Sequence, residues 1–203
     1  MTDEEWYQLW KPRLVEHAKK RREKNYGPQM QRWGQHQEQA AVEGEAALAR
    51  RLLGGEPDLR FFERGDGGVD NLGRFGIDGV DRWITLNAKA VWKRPVYLLV
   101  RSLQEEMVNG VMRPQVGHVR PDVYYVLSGR PPRQGEEGND FLWPLHGFMR
   151  GDKVMTYPAD YFMGNASHVH IVPAEELSPM SELEAVYRGW WCHRGEKWRR
   201  AEW

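Results

Sequence analysis

The segment from Gly65 to Val91 concentrates the residue types that hydrolytic chemistry needs. It runs from Gly65-Asp-Gly-Gly-Val-Asp70 through Asp78-Gly79 and Asp81 into Asn87-Ala88-Lys89. A glycine-laced acidic hairpin leading into a strand would set Asn87 and Lys89 on one sheet face, because strand side chains two apart point the same way. An Asp from the preceding strand, an oxygen of Asn87 and the Lys89 ammonium would then meet around one divalent cation and one water. Mg²⁺, or Mn²⁺ in its place, suits such a site, since magnesium is content with two or three protein oxygens and keeps several waters. A lysine there can orient or help deprotonate the water and offset phosphate charge. Glycine with aspartate is also ordinary turn chemistry, so Asp66, Asp78 and Asp81 have a simpler reading as hairpin closers. Lys89 has one as a solvated edge charge, against which stand its small neighbours Ala88 and Ala90.

Two other groupings carry potential chemistry. His168-Val-His170 places two imidazoles on one strand face, and Cys192-His193 adds two possible ligands. Nothing in their spacing makes them converge at zinc-ligand distance, so paired surface or core histidines are the default. Trp190, Trp191, Trp198 and Trp203 interleave with Arg188, Arg194, Lys197, Arg199 and Arg200. Such a tail could stack on bases and pair phosphates, or equally cap the core or bury against another subunit.

The elements that must position these groups are legible in the pattern. Trp6, Leu9, Trp10, Leu14 and Val15 recur at helical spacing, Asn25-Tyr-Gly-Pro28 interrupts, and a second helix from about Met30 to Leu53 stops at Gly54-Gly55. Short β-type runs follow at 59–62, 83–86, 96–100, 123–127, 141–148 and 169–172, separated by Gly and Pro clusters. Arg130 to Gly138 reads as a surface hairpin or loop. A closing helix opens at Ser178-Pro179 and carries Met180, Leu183, Val186 and Tyr187. Helix, then strands, then helix gives an α+β sandwich around one mixed sheet.

The ordered motifs resemble the PD-(D/E)XK nuclease superfamily, the restriction-endonuclease-like fold, from about Val42 to Leu183. Val42-Glu-Gly-Glu-Ala-Ala is similar to that family's Glu-bearing helix, with Glu45 the match and Glu43 the alternate. Gly65 to Asp70 is similar to the Gly-rich turn of Mrr-type members, which carry Gln-x-Lys where others have Glu-x-Lys. Arg120-Pro-Asp-Val-Tyr-Tyr-Val-Leu-Ser128 resembles the next core strand. Phe148 to Met155 and Glu175 to Leu183 resemble a strand turn and closing helix of small phage-type members. The resemblance implies an α/β/α sandwich with Glu45, Asp70, Asn87 and Lys89 as the catalytic set. Glu45, Asp70 and Asn87 would be on the metal, with Asp78 the alternate to Asp70. Asn87 stands where the family has Asp or Glu, so the site carries one negative charge fewer.

Composition supplies the frame. The chain has 203 residues, 40% hydrophobic, with 29 basic and 29 acidic side chains. That suffices for one core and excludes global disorder. A single cysteine, Cys192, excludes an internal disulfide framework and any multi-cysteine zinc module. No run approaches a membrane span and the acidic start is unlike a signal peptide, which predicts a soluble cytoplasmic protein with no membrane partner, in the host cell cytoplasm if phage-encoded. The charges are segregated, with basic flanks at Lys11 to Lys24 and Arg188 to Arg200 and an acidic centre from Glu56 to Asp81. The expected organisation is a helical extension over 1–40, a nuclease-like core over 41–187 and a basic Trp-rich tail over 188–203. The expected function is metal-dependent hydrolysis of DNA, or of RNA. Lys19, Lys20, Arg21, Arg22, Lys197, Arg199 and Arg200 would grip the backbone, and a homodimer would let two sites cut two strands. The alternative is an inactive nuclease-like scaffold serving as a nucleic-acid- or protein-binding accessory factor.

Overall fold

A computed structural model describes residues 1–52, 57, 59, 71–91, 97–102, 104–108, 111–115, 119–129, 143–161, 168–194 and 197–200. For 24–37, 71, 101, 104–108, 111–115, 161, 190–194 and 197–200 the description is of the backbone. Helix α1 (Asp3–Arg51) opens with a capping box, in which the Glu5 amide donates to Thr2 Oγ1 and the Thr2 amide to the Glu5 carboxylate. Its two ends nevertheless meet, with Arg50 Nε 3.1 Å from Asp3 Oδ1 and Tyr7 Oη donating to Glu43 Oε1 over 3.2 Å. A straight helix rises about 1.5 Å per residue, so these contacts require the chain to double back. The midpoints of the pairs 3–50, 7–43 and 21–38 fall between positions 25 and 30. The two arms pack through Trp6, Trp10, Leu14, Ala40, Val42, Ala46 and Ala47, closed by Trp143. The position 40/41, expected as the boundary between extension and core, falls inside α1.

The strands are β1 (Asn71–Ile77), β2 (Val80–Val91), β3 (Tyr97–Arg101), β4 (Gln104–Val108), β5 (Val111–Gln115), β6 (Tyr124–Gly129), β7 (Leu145–Arg150), β8 (Ala159–Tyr161), β9 (His168–Pro173), β10 (Tyr187–Arg194) and β11 (Lys197–Arg200). Helix α2 (Gly151–Val154) is a single turn, and α3 (Met180–Val186) follows Pro179. The central sheet has the order β11-β10-β1-β2-β6-β7, with β2 and β6 parallel and every other pair antiparallel. The α+β class and the mixed central sheet are as the pattern predicts. Asp78 (φ 53°) and Gly79 (φ 74°) close the β1–β2 hairpin as a two-residue turn with both residues left-handed, the geometry that matches strand twist.

One face of this sheet carries Ile84, Leu86 and Ala88 of β2, Val126 of β6 and Phe148 of β7, packed against Leu48 and Leu52 of α1 and Met180 and Leu183 of α3. The other face carries Tyr125, Leu127 and Met149, and what covers them is a second sheet, β3-β9-β8, through Leu98, Val100 and Val172. Among the described residues the third layer is thus strand rather than the helix an α/β/α sandwich would have. The cause is local: Tyr97-Leu-Leu-Val100 alternates half-buried and buried positions, the period of two that makes a strand. The expected tail over 188–203 also differs, because β10 pairs with β1 and β11 with β10, extending the central sheet. No helix among the described residues is long and apolar enough to cross a membrane. The runs at 60–62 and 130–138 lie outside the described residues.

Candidate functional site

β2 is the strand on which the candidate site depends. Its successive residues face opposite sides of the sheet, and Asn87 and Lys89 point away from the helices that pack on Ile84, Leu86 and Ala88. Asn87 is 5% exposed and lies beside Tyr125 in the parallel register, while Lys89 is half-buried beside Leu127. The Lys89 Nζ sits 6.0 Å from the centroid of the Tyr125 ring, whose negative face attracts an ammonium. Tyr125 is itself fixed, since its hydroxyl accepts from the Arg120 amide over 3.0 Å. The expected sharing of one face by Asn87 and Lys89 is what the strand provides. On that face their neighbours on β6 are Tyr125 and Leu127, which pack against β3.

The acidic candidates separate. Asp70 lies outside the described residues, but β1 starts at the next residue, Asn71, which pairs with Leu86, one residue before Asn87. Asp78 sits in the exposed hairpin turn, about 25 Å along the strand from Asn87 at roughly 3.3 Å per residue. It belongs to the turn and does not substitute for Asp70. Glu45 is on α1, which approaches the opposite face so closely that a Cβ on Gly44 would come 3.2 Å from Ala90 Cβ and 3.3 Å from Ser128 Oγ. Its Oε1 accepts from Arg21 Nη1 over 2.7 Å. The structure does not bring Glu45 together with Asn87 and Lys89; it gives Glu45 to a bridge between the arms of α1. The spacing of the Glu-bearing helix could not reveal this, because Arg21 is 24 residues away in sequence and arrives only through the hairpin.

Glu43, the alternate, is buried and saturated. It accepts from Tyr7 Oη (3.2 Å), Gln39 Nε2 (2.9 Å) and Trp143 Nε1 (2.7 Å). Burial, with the Glu43 charge adding to it, pushes the Tyr7 phenol well above its ordinary range. Glu43 is a structural acceptor joining α1 to Trp143.

Among the basic candidates, Lys19 and Lys20 are exposed, with Lys20 3.8 Å from Glu16. Arg21 is engaged with Glu38 (3.0 Å) and Glu45 (2.7 Å), which removes it from the set available to a phosphate backbone. Arg22 is half-buried. The backbones of Lys197, Arg199 and Arg200 lie on β11 at the sheet edge. His168 and His170 have separate partners, Ser102 Oγ (2.9 Å) and the Tyr157 carbonyl (2.8 Å), and so serve the small sheet. Among the described residues no three His, Cys, Asp or Glu side chains gather as a metal-binding group. What the described donor set offers a cation is one hard amide oxygen, Asn87, in kind suited to Mg²⁺ if a carboxylate joins it.

Trp83, which sequence reasoning took only as the start of a strand, and Arg188, which it took as part of a basic tail, lie on the face of the sheet that carries Asn87. Trp83 is 41% exposed, directly across from Arg74, and Arg188 is carried there by an irregularity in β10. Only the register shows this, since neither residue is distinguished by its neighbours in the chain. No family model matches the chain, and neither the curated proteins nor the solved structures compared with it give a match.

Proposed function

We propose that the chain is a divalent-cation-dependent phosphodiesterase acting on nucleic acid, with Asp70, Asn87 and Lys89 as its working groups. The observation that carries the reading is the placement of Asn87 and Lys89 on one face of a central strand, where the partner strand begins one residue after Asp70. Asp70 and Asn87 would hold Mg²⁺, which when bound supplies Lewis acidity toward a phosphoryl oxygen and a more acidic water. Lys89 orients the attacking water and offsets the charge that builds on the phosphate. Water adds at phosphorus, one P–O ester bond breaks and the leaving oxygen takes a proton. Tyr125, whose ring centroid lies 6.0 Å from Lys89 Nζ, would help to position the ammonium, as such chemistry needs. Glu45 has no part in this set.

A second reading has its own support. A neutral residue at position 87 and a Glu45 already bonded to Arg21 leave the site with little negative charge, which favours a scaffold that binds nucleic acid without cutting it. Asn87→Asp separates the two. If the protein is an enzyme, wild type cuts DNA with Mg²⁺ or Mn²⁺, stops with chelator, and Asn87→Asp lowers the Mg²⁺ concentration needed for half-maximal cutting. Asp70→Ala abolishes cutting in either background. Wild-type protein that binds DNA but leaves it intact at every metal concentration, while Asn87→Asp gains cutting, identifies the binding scaffold.

A further inference from the structure

We propose that the turn from Arg120 to Val123, locked against Gly151, is the positioning element of the Lys89 site, because it fixes the Tyr125 ring that the Lys89 ammonium faces. Gly151 and Arg120 then act on the reaction through Tyr125 without touching the reacting atoms. The inference rests on the phosphodiesterase reading for its effect on turnover.

Tyr125 is buried on β6, at 3% exposed, and a buried phenol needs a hydrogen-bond partner. The chain supplies one by turning back, since the Arg120 amide, five residues earlier, donates to Tyr125 Oη over 3.0 Å. The turn is closed by the Val123 amide, which donates to the Arg120 carbonyl over 3.2 Å, and Arg120 Nη2 lies 3.1 Å from Asp122 Oδ2. The end of β7 and the start of α2 then grip it from the side. The Gly151 amide donates to the Val123 carbonyl (2.8 Å), and the Asp152 amide and Arg150 Nε both donate to the Pro121 carbonyl (3.2 Å each). Three carbonyls of the turn are thereby engaged, and the residue that holds the Tyr125 hydroxyl is itself held.

Gly151 is the tightest point of this lock. A Cβ there would overlap the Arg120 carbonyl oxygen and stand 3.2 Å from Tyr125 Cε2. No side chain fits at position 151 without displacing Arg120, and Arg120 carries the amide that anchors the ring. From the ring the effect passes to β2. Tyr125 lies beside Asn87 and Leu127 beside Lys89 in the parallel register, so the Lys89 side chain reaches diagonally to the ring and brings Nζ to 6.0 Å from its centroid. The negative face of the ring attracts the ammonium. A lysine has a flexible four-carbon stem, and a charge on such a stem aids a reaction only as far as something holds it in place. An anchored aromatic face does that without neutralising the charge, as a carboxylate partner would.

The test reads the position of Lys89 separately from cutting. In protein carrying ¹³C-labelled lysine, the Hε protons of Lys89, identified by their absence from Lys89→Arg, should show nuclear Overhauser contacts to the Tyr125 ring. They should also resonate upfield of those of the exposed Lys19 and Lys20. Gly151→Ala and Tyr125→Leu should each remove the upfield shift. Each should also slow single-turnover cutting of a fluorescein-labelled thymidine oligonucleotide by about ten-fold or more at equal occupancy. Tyr125→Phe keeps the ring, and so should retain the shift and lose only a few-fold in cutting. A merely structural Gly151 would lower the melting temperature and leave the Lys89 resonance and the rate of the folded protein unmoved. Wild type without the Lys89–Tyr125 contact overturns the proposal and requires no variant to fold. Folded Gly151→Ala or Tyr125→Leu protein that cuts at the wild-type rate overturns it as well, and leaves the hydrolytic reading standing. Wild type that shows the contact, with both variants shifting it, yet never cuts with Mg²⁺, sustains the placement of Lys89 and removes the hydrolytic reading.

Discussion

The two faces of β2 carry opposite kinds of residue. Toward the helices it presents Ile84, Leu86 and Ala88, all buried in one apolar cluster with Leu48, Val126 and Leu183. Toward the other side it presents Trp83, Thr85, Asn87 and Lys89, ranging from 41% exposed to nearly closed. Because the side-chain period of a strand is two, a single strand can serve as core and as working surface with no compromise in sequence. Stability and the proposed chemistry therefore fall on alternate residues, and neighbours in the chain should respond to mutation in different assays.

The sharpest break of that comparison uses Leu86 and Lys89. Leu86→Ala removes a fully buried side chain and should cost about 2–5 kcal/mol in urea unfolding. Lys89→Ala should change stability by less than about 1 kcal/mol and instead lower nucleic-acid cutting by about a hundred-fold or more, with binding kept within a few-fold. Loss of folding in Lys89→Ala would show that the polar face is structural after all.

The two glutamates of α1 sharpen the same point. Glu43→Ala leaves Trp143 Nε1 and Tyr7 Oη without their acceptor, and should cost about 2–3 kcal/mol by denaturant midpoint. Glu45→Gln breaks a partly exposed bridge to Arg21, and should cost about 1 kcal/mol or less while leaving cutting within a few-fold. Cutting abolished in a folded Glu45→Gln protein would return that residue to the site. The smallest effect is electrostatic: Lys19→Ala with Lys20→Ala should make the salt dependence of duplex binding shallower by no more than about two units, at about 0.9 for each phosphate that a lysine neutralises.

Much of this arrangement is legible in the chain. The β-type runs at 83–86, 123–127 and 169–172 mark strands that the structure contains, and Ser178-Pro179 marks the start of α3, whereas the interruption expected at Asn25 to Pro28 falls inside the single helix α1. The pairing of Asn87 with Lys89 on one face follows from spacing alone. What spacing cannot convey is which side of the sheet a helix covers, and so Glu45 looks like a neighbour of Lys89 until the packing of Gly44 on Ala90 is seen. The basic, Trp-rich end reads as a tail because its charges obscure the strand pattern, whereas pairing with β1 makes it sheet. Arg188 illustrates the limit most clearly, since a bulge is a property of two strands and leaves no trace in either one.

The most direct test of the polar face of β2 as a hydrolytic surface is single-turnover cleavage of a labelled single-stranded oligonucleotide. It compares wild type and Lys89→Ala at saturating Mg²⁺, at concentrations where both bind the same fraction of substrate. Wild type should cleave, cleavage should stop on chelation, and Lys89→Ala should be slower by about a hundred-fold or more at equal occupancy. Equal rates for the two proteins, or no cleavage by wild type at full occupancy, would contradict it.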